Sequence, residues 1–281
     1  PYAQLDISAI AHNVAYLRSL FDGRHTPRIW ATVKGNAYGH GIANVIPALK
    51  LADGLAVSHE AERQACRQAG WRGPILMLNG LPSLSYTQQL HDPDIHIVIH
   101  HLSQLSWLRA LSCQHPPSVW LRYVGDLHYT GMNSQTYRKA YHLAEAMRRA
   151  GQIRMIGHLN HYARSDDSNG IETAYQHFGE AIRDLSGPIS TSNSATLLQH
   201  REHAATNDWI RPGLMLYGAS PLPHRTGPQL GLRPALSLQS TLIATRTLPV
   251  NTPIGYGGSF ISSRAMPIGI VACGYASGYP R

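Results

Sequence analysis

Cysteine is scarce. Cys66, Cys113 and Cys273 are the only three in 281 residues, and they form no Cys-x-x-Cys pair. That spacing excludes a cysteine-based zinc site and an even disulfide framework, and reduced, buried thiols are the expected state. Long apolar runs are missing too. None approaches the roughly 20 residues that cross a bilayer, so no membrane segment is expected. The chain begins Pro-Tyr-Ala-Gln-Leu-Asp, without a basic segment ahead of an apolar core. No signal peptide is read there, and a cytoplasmic location is expected. Charge is thin at 14% of residues, and acids are the scarcer sign, 16 against 24 lysines and arginines. The bases are dispersed, with no basic helix or aromatic-basic stripe, so nucleic acid is not an expected partner and the excess favours small anionic ligands. Seventeen histidines include no His-Glu-x-x-His spacing, and no metal is expected.

What is present is a core-forming composition, 43% hydrophobic, in a chain long enough for a barrel of about 250 residues. Apolar, β-rich runs recur at 29–33, 54–58, 74–78, 95–100, 119–124, 155–159, 189–192 and 214–217. Helical patterns at 59–69, 102–111, 134–150, 172–185 and 195–202 lie between them. Strand and helix alternating in this way predict parallel βα units, closed as a TIM-like (β/α)8 barrel. An amphipathic helix over 7–20 precedes the first strand, with Asp6 or Ser8 as its cap. Residues 221–234 are rich in Pro, Gly, His and Arg without periodicity, which marks a domain boundary. The expected domains are a barrel over 1–223 and the start of a mostly β second domain over 235–281.

The most informative run is Ala31-Thr-Val-Lys-Gly-Asn-Ala-Tyr-Gly-His-Gly41, in which a β-branched strand delivers Lys34 to a glycine-rich turn carrying Tyr38. A lysine leaving a buried strand is expected to be partly desolvated, which lowers its pKa and exposes a neutral, nucleophilic amine able to form a Schiff base. Tyr38 and the backbone N–H groups near Gly35, Gly39 and Gly41 suit a phosphate. Lysine and phosphate cradle together suggest pyridoxal 5′-phosphate. On its own, a Val-Lys-Gly is an ordinary solvated strand end; the whole run is what points to a site.

Further runs follow: His158-Leu-Asn-His-Tyr-Ala-Arg-Ser-Asp166, Ser192-Asn-Ser-Ala195, Ile210-Arg-Pro-Gly-Leu-Met-Leu-Tyr-Gly218, Pro253-Ile-Gly-Tyr-Gly-Gly258 and Gly274-Tyr-Ala-Ser-Gly-Tyr-Pro-Arg281. With the lysine run, and in this order, they resemble the alanine racemases, fold-type III pyridoxal-phosphate enzymes, over essentially the whole chain. The resemblance implies that Lys34 carries the cofactor and serves as the base on one face of the substrate. Tyr256 is then the base on the other face, serving the L enantiomer. Arg211 faces the pyridine nitrogen, and Tyr38, Ser194 and the backbone N–H groups of Gly213 and Leu214 hold the phosphate. His161 stacks near the cofactor and links Arg211 to Tyr256, with His158 as the competing candidate. Tyr275 matches a substrate-pocket tyrosine, although Ser277 stands where the family usually has Asp. The implied substrate is a small amino acid, alanine first with serine open, and the implied product D-alanine is a peptidoglycan precursor. A homodimer is implied, in which one subunit's β domain supplies Tyr256 to the other's barrel. Alanine racemases continue past the point where this chain stops, so the second domain is expected to be incomplete.

One run departs from the family. Trp120-Leu-Arg-Tyr-Val-Gly-Asp-Leu-His-Tyr-Thr-Gly131 puts Tyr129 where the family has an arginine assisting the substrate carboxylate, and Arg122 where it often has a carbamylated lysine. A gapped alignment places Thr130-Gly-Met132 on the family's Thr-Gly-Met, and the arginine is still missing. A charge-assisted hydrogen bond contributes about 1.5–3 kcal/mol, roughly ten- to hundredfold in affinity or rate. Two other readings therefore use the same residues: a catalytically impaired cofactor-binding homologue, and a related barrel enzyme of different reaction type for which Tyr256 is dispensable.

Overall fold

The computed structural model of the chain describes residues 1–21, 25–89, 92–110 and 115–280. They divide into two compact units, one of Asp6–Ala235 and one of Pro1–Leu5 with Leu236–Arg281.

The larger unit is built on eight parallel strands: β1 (Arg28–Thr32), β2 (Gly54–Val57), β3 (Ile75–Met77), β4 (Ile95–Ile99), β5 (Ser118–Arg122), β6 (Met155–Leu159), β7 (Ile189–Ser190) and β8 (Trp209–Ile210). They are hydrogen-bonded in the order β7-β6-β5-β4-β3-β2-β1-β8. Single bonds close the remaining seam, Asp208 N–H to Ile189 O at 3.0 Å and Arg211 N–H to Ser192 O at 2.8 Å. Helices Glu60–Gln68, Leu102–Arg109, Ser134–Arg149 and Glu172–Ile182 follow β2, β4, β5 and β6, and the chain forms the expected (β/α)8 barrel.

Two elements differ from the sequence expectation. The eighth strand is Trp209–Ile210, which pairs with Arg28–Ile29, and the apolar run at 214–217 is instead a 3-10 turn. Pro212 has no N–H for a ladder, and Gly213 leaves the extended region at φ −126°, ψ −90°, so the strand ends before Leu214. The helix expected at 195–202 is broken into Ser194–Gln199 and Arg201–Ala204 at His200, whose backbone is non-helical.

Strand alternation fills the barrel. Trp30, Ala56, Leu76, Val98, Trp120, Leu159 and Trp209 form one buried cluster, with Trp30 stacked on Trp209 at 4.0 Å. Glycine makes the space: a Cβ on Gly54 would lie 2.1 Å from Trp30, and one on Gly157 would lie 2.4 Å from Trp120. The Trp120 indole N–H bonds His96 Nδ1 at 3.0 Å, and burial holds that imidazole neutral, at a pKa of about 4.

Helix Ile7–Ser19 buries Ala9, Ile10, Asn13, Val14 and Leu17 on one face. Of its two expected caps, Asp6 accepts the Ala9 N–H at 3.1 Å while the Ser8 hydroxyl donates to Asp6. Buried Asn13 donates to Leu216 O and Arg233 O and accepts from Arg233 N–H. Those bonds tie residues 221–234 to the barrel, and the division between units falls after Ala235. The expected barrel range 1–223 also takes in Tyr2–Leu5, which pairs antiparallel with Leu236–Gln239.

The smaller unit contains that pair, a second antiparallel pair of Leu242–Leu248 with Met266–Val271, and a third of Pro253–Ile254 with Phe260–Ile261. It is the expected mostly β domain. Cys273, in this unit, is partly exposed rather than buried as expected, while Cys66 is buried and its thiol pushed up to about 12. Cys113 lies outside the described residues.

Candidate active site

Val33 follows β1, and the chain then turns left-handed. Gly35, Asn36, Ala37 and Tyr38 have φ of 62°, 52°, 57° and 53°. Asn, Ala and Tyr in this region each cost on the order of 1–2 kcal/mol, so neighbours must hold the turn. Ala37 N–H bonds Val33 O at 2.8 Å, Gly39 N–H bonds Gly35 O at 2.9 Å and Gly41 N–H bonds Asn36 O at 2.9 Å. Glu62 Oε1 accepts the Gly35 N–H at 2.6 Å, while its Oε2 accepts Ser58 N–H at 2.8 Å. This turn fixes Lys34 at the barrel mouth. Lys34 is exposed, whereas Val33 just before it is buried, so the desolvation expected of it is not supplied by the chain's own packing.

A cavity of about 680 Å³ opens at the mouth. Lys34, Tyr38, Tyr129, His161, Ser194, Arg211, Gly213 and Leu214 all line it. Tyr256 and Tyr275 belong to the β unit, where they are 86% and 72% exposed. Tyr256 opens a turn flanked by Gly255, Gly257 and Gly258 at φ of 73°, 76° and 57°, which explains the glycines around it.

On the β7–β8 side the side chains are interlocked. Arg211 is buried. It donates to Ser190 O at 2.7 Å, Ser190 Oγ at 2.6 Å and Asn160 O at 2.6 Å, and reaches His161 Nδ1 at 3.3 Å. Burial and the charge of Arg122 bring its pKa down to about 9. His161 lies between Arg211 and Asn193, whose Nδ2 is 3.4 Å from His161 Nε2. Burial and the cations Arg211, Arg122 and Lys34 push His161 down to about 3, so it is neutral. His158 is excluded from the site by strand alternation. It faces outward, with Nδ1 2.7 Å from Tyr137 Oη and its ring stacked on Tyr141.

The residues fit a phosphate and an aromatic cofactor. Ser194 Oγ accepts the Gly213 N–H at 2.9 Å and the Met215 N–H at 3.4 Å, while the Leu214 N–H has no acceptor among the described residues. A Cβ on Gly213 would lie 2.5 Å from Tyr38 Oη, so only glycine leaves that cradle open. Arg211 has no carboxylate partner among the described residues.

Sequence reading missed three supporting residues. Glu62 pins the lysine turn, and its signal was the His59-x-x-Glu62 helix-start spacing. Asn193 caps helix Ser194–Gln199 and touches His161. His100 lines the cavity, held at a pKa of about 4 by burial and Arg122, and its parity with His96 and Val98 would have found it.

Residues 5–221 match the model of the alanine racemase N-terminal domain, and 235–281 match that of the C-terminal domain. The chain belongs to the alanine racemase family. The alanine racemase of Bordetella petrii is 35% identical over all of this chain and 77% of its own length. The biosynthetic alanine racemase of Pseudomonas aeruginosa superposes with a TM-score of 0.88 at 34% identity, covering 99% of this chain and 76% of that one. An alanine racemase from Bartonella henselae, solved with covalently bound pyridoxal phosphate, shares the fold at TM-score 0.79 and 22% identity, over 99% and 77% of the two chains. Alanine racemases are pyridoxal-phosphate-dependent amino-acid racemases, and at the level of the family that activity and cofactor are this chain's. Among the described residues, no helix is long and apolar enough to cross a membrane.

Proposed function

We propose that this chain racemises a small α-amino acid with pyridoxal 5′-phosphate, alanine first and serine second, using Lys34 and Tyr256 as opposed bases. The observation that carries the reading is one cavity combining Lys34, a buried arginine without an acid partner, and a Ser194–Gly213–Tyr38 cradle. When bound, the cofactor withdraws electrons from the substrate and acidifies its Cα–H. Lys34 Nζ takes or returns that proton on one face. Tyr256 Oη does so on the other, supplied by a second copy of the chain. The homodimer reading is supported by the β unit, which leaves Leu238, Ile243, Phe260 and Ile261 exposed.

Tyr38, Ser194 and the Gly213–Leu214 backbone hold the phosphate. Arg211 stays protonated at neutral pH, and its Nε, which meets no acceptor among the described residues, would donate to the pyridine nitrogen without giving up its proton. Neutral His161 accepts from Arg211 and keeps the guanidinium plane fixed. Tyr275, in the β unit like Tyr256, would serve the substrate pocket. The predicted location is the cytoplasm.

The test incubates cofactor-loaded protein with L-alanine, and separately L-serine, in deuterated water. Loss of the Cα proton together with formation of the D enantiomer is the expected result. In Tyr256→Phe, exchange from D-alanine persists while exchange from L-alanine falls by at least about a hundredfold. A second reading, a catalytically impaired homologue, draws on the neutral Tyr129 at the family's arginine position, 80% exposed. It predicts neither exchange nor inversion on a chain whose Lys34 still takes the cofactor.

A further inference from the structure

The cavity holds a second arginine whose partners are incomplete. Arg122 ends β5, and alternation from Ser118 through Trp120 turns it into the barrel, where it lines the cavity. Its Nε donates to Thr130 O at 3.0 Å. Among the described residues no acceptor meets its Nη1 or Nη2, and no carboxylate pairs with it. The loop delivering Thr130 is itself fixed, through Met132 N–H to Arg122 O at 2.9 Å and Val124 N–H to Met132 O at 3.0 Å. Gly131, at φ 120°, lets it pass: a Cβ there would lie 2.8 Å from the Tyr123 backbone.

A guanidinium held through Nε with both Nη atoms open presents the planar fork that matches a carboxylate. Asp166 also lines the cavity, but among the described residues it makes no ion pair with Arg122. His100 and His161 are neutral beside it, Lys34 and Arg211 add positive charge, and Tyr129 offers only a phenol. We propose that Arg122 anchors the α-carboxylate of the amino-acid substrate, in the place of the family arginine that this chain lacks after β5. The assignment rests on the racemase reading for its substrate class. The two carboxylate oxygens take Nη1 and Nη2, and the Nε bond to Thr130 sets the plane of the fork.

The experiment measures propionate, a carboxylate without the amine, binding to the cofactor-loaded wild type, Arg122→Gln and Arg122→Lys by titration calorimetry. It is paired with KM and kcat for L-alanine. Arg122→Gln is expected to weaken propionate ten- to hundredfold and to raise KM by a similar factor with a smaller change in kcat, while Arg122→Lys recovers part of both. Equal propionate affinity in wild type and Arg122→Gln overturns the assignment. Should Arg122→Gln fail to fold by thermal melt, Arg122→Lys decides alone, since it keeps the charge and loses the fork: unchanged affinity overturns the proposal and a loss of threefold or more supports it. If the wild type racemises nothing while propionate still depends on Arg122, the racemase reading fails and the anion anchor stands.

Discussion

On the β7–β8 side of the barrel mouth, Arg211 directs both terminal nitrogens to Ser190 and Asn160, and His161, Asn193 and Ser194 lock around it. On the β5 side, Arg122 is held by one bond to Thr130, and Tyr129 stands exposed beside it. Among the described residues the first arginine uses both Nη atoms inside the protein and leaves Nε free; the second uses Nε and leaves both Nη atoms open. A buried guanidinium whose two Nη atoms are both used has its plane fixed before any ligand arrives, whereas one with both Nη atoms free marks where a ligand's charge belongs. On the proposed function, the contrast separates a side that would hold the cofactor from a side that would meet the substrate.

Removing Arg211 should have the largest effect. Arg211→Leu leaves Ser190 and Asn160 acceptors buried and unpaired, and is expected to cost about 3 kcal/mol or more in chemical denaturation, besides weakening the cofactor. Next is the cradle. Gly213→Ala drives a methyl to 2.5 Å from Tyr38 Oη, so cofactor affinity, read by fluorescence titration, should fall by at least about tenfold. A loss of equal size in Tyr129→Phe would erase the distinction between the two sides; the expected change in stability there is within about 0.5 kcal/mol, because Tyr129 is exposed.

Acid sharpens the comparison. His96, His100 and His158 sit at about 4 and His161 at about 3, each lowered first by burial from 6.5. Between those values and 6.5 the unfolded chain binds more protons than the folded one, so stability is full above 6.5 and falls as pH drops toward 4. Denaturant midpoints measured from pH 7.5 to 4.5 should decline across that window. In His161→Gln the decline should be shallower.

Much of this was legible in the sequence because period-2 alternation and chain order are local signals. Seven strands lie where apolar runs predict them, and the same alternation, applied to Met155–Leu159, separates outward His158 from the cavity. The eighth strand was misplaced because Trp209–Ile210 is only two residues long, while the longer apolar run after it buries Met215, Leu216 and Tyr217 from a 3-10 turn. The exposure of Lys34 was not legible either. A run of β-branched residues signals a buried strand, but the left-handed turn that carries the lysine out of it depends on Glu62, 27 residues away from Gly35. Arg122 read as a departure from a pattern; its open donors needed coordinates.

Lys34 is the residue proposed to take the cofactor, and Lys50 and Lys139 are the only other lysines in the chain. Protein incubated with pyridoxal 5′-phosphate, reduced with borohydride and mapped by peptide mass spectrometry should carry the added mass on Lys34 alone, at one equivalent per chain. Labelling that prefers Lys50 or Lys139, or that survives undiminished in Lys34→Ala, would contradict it.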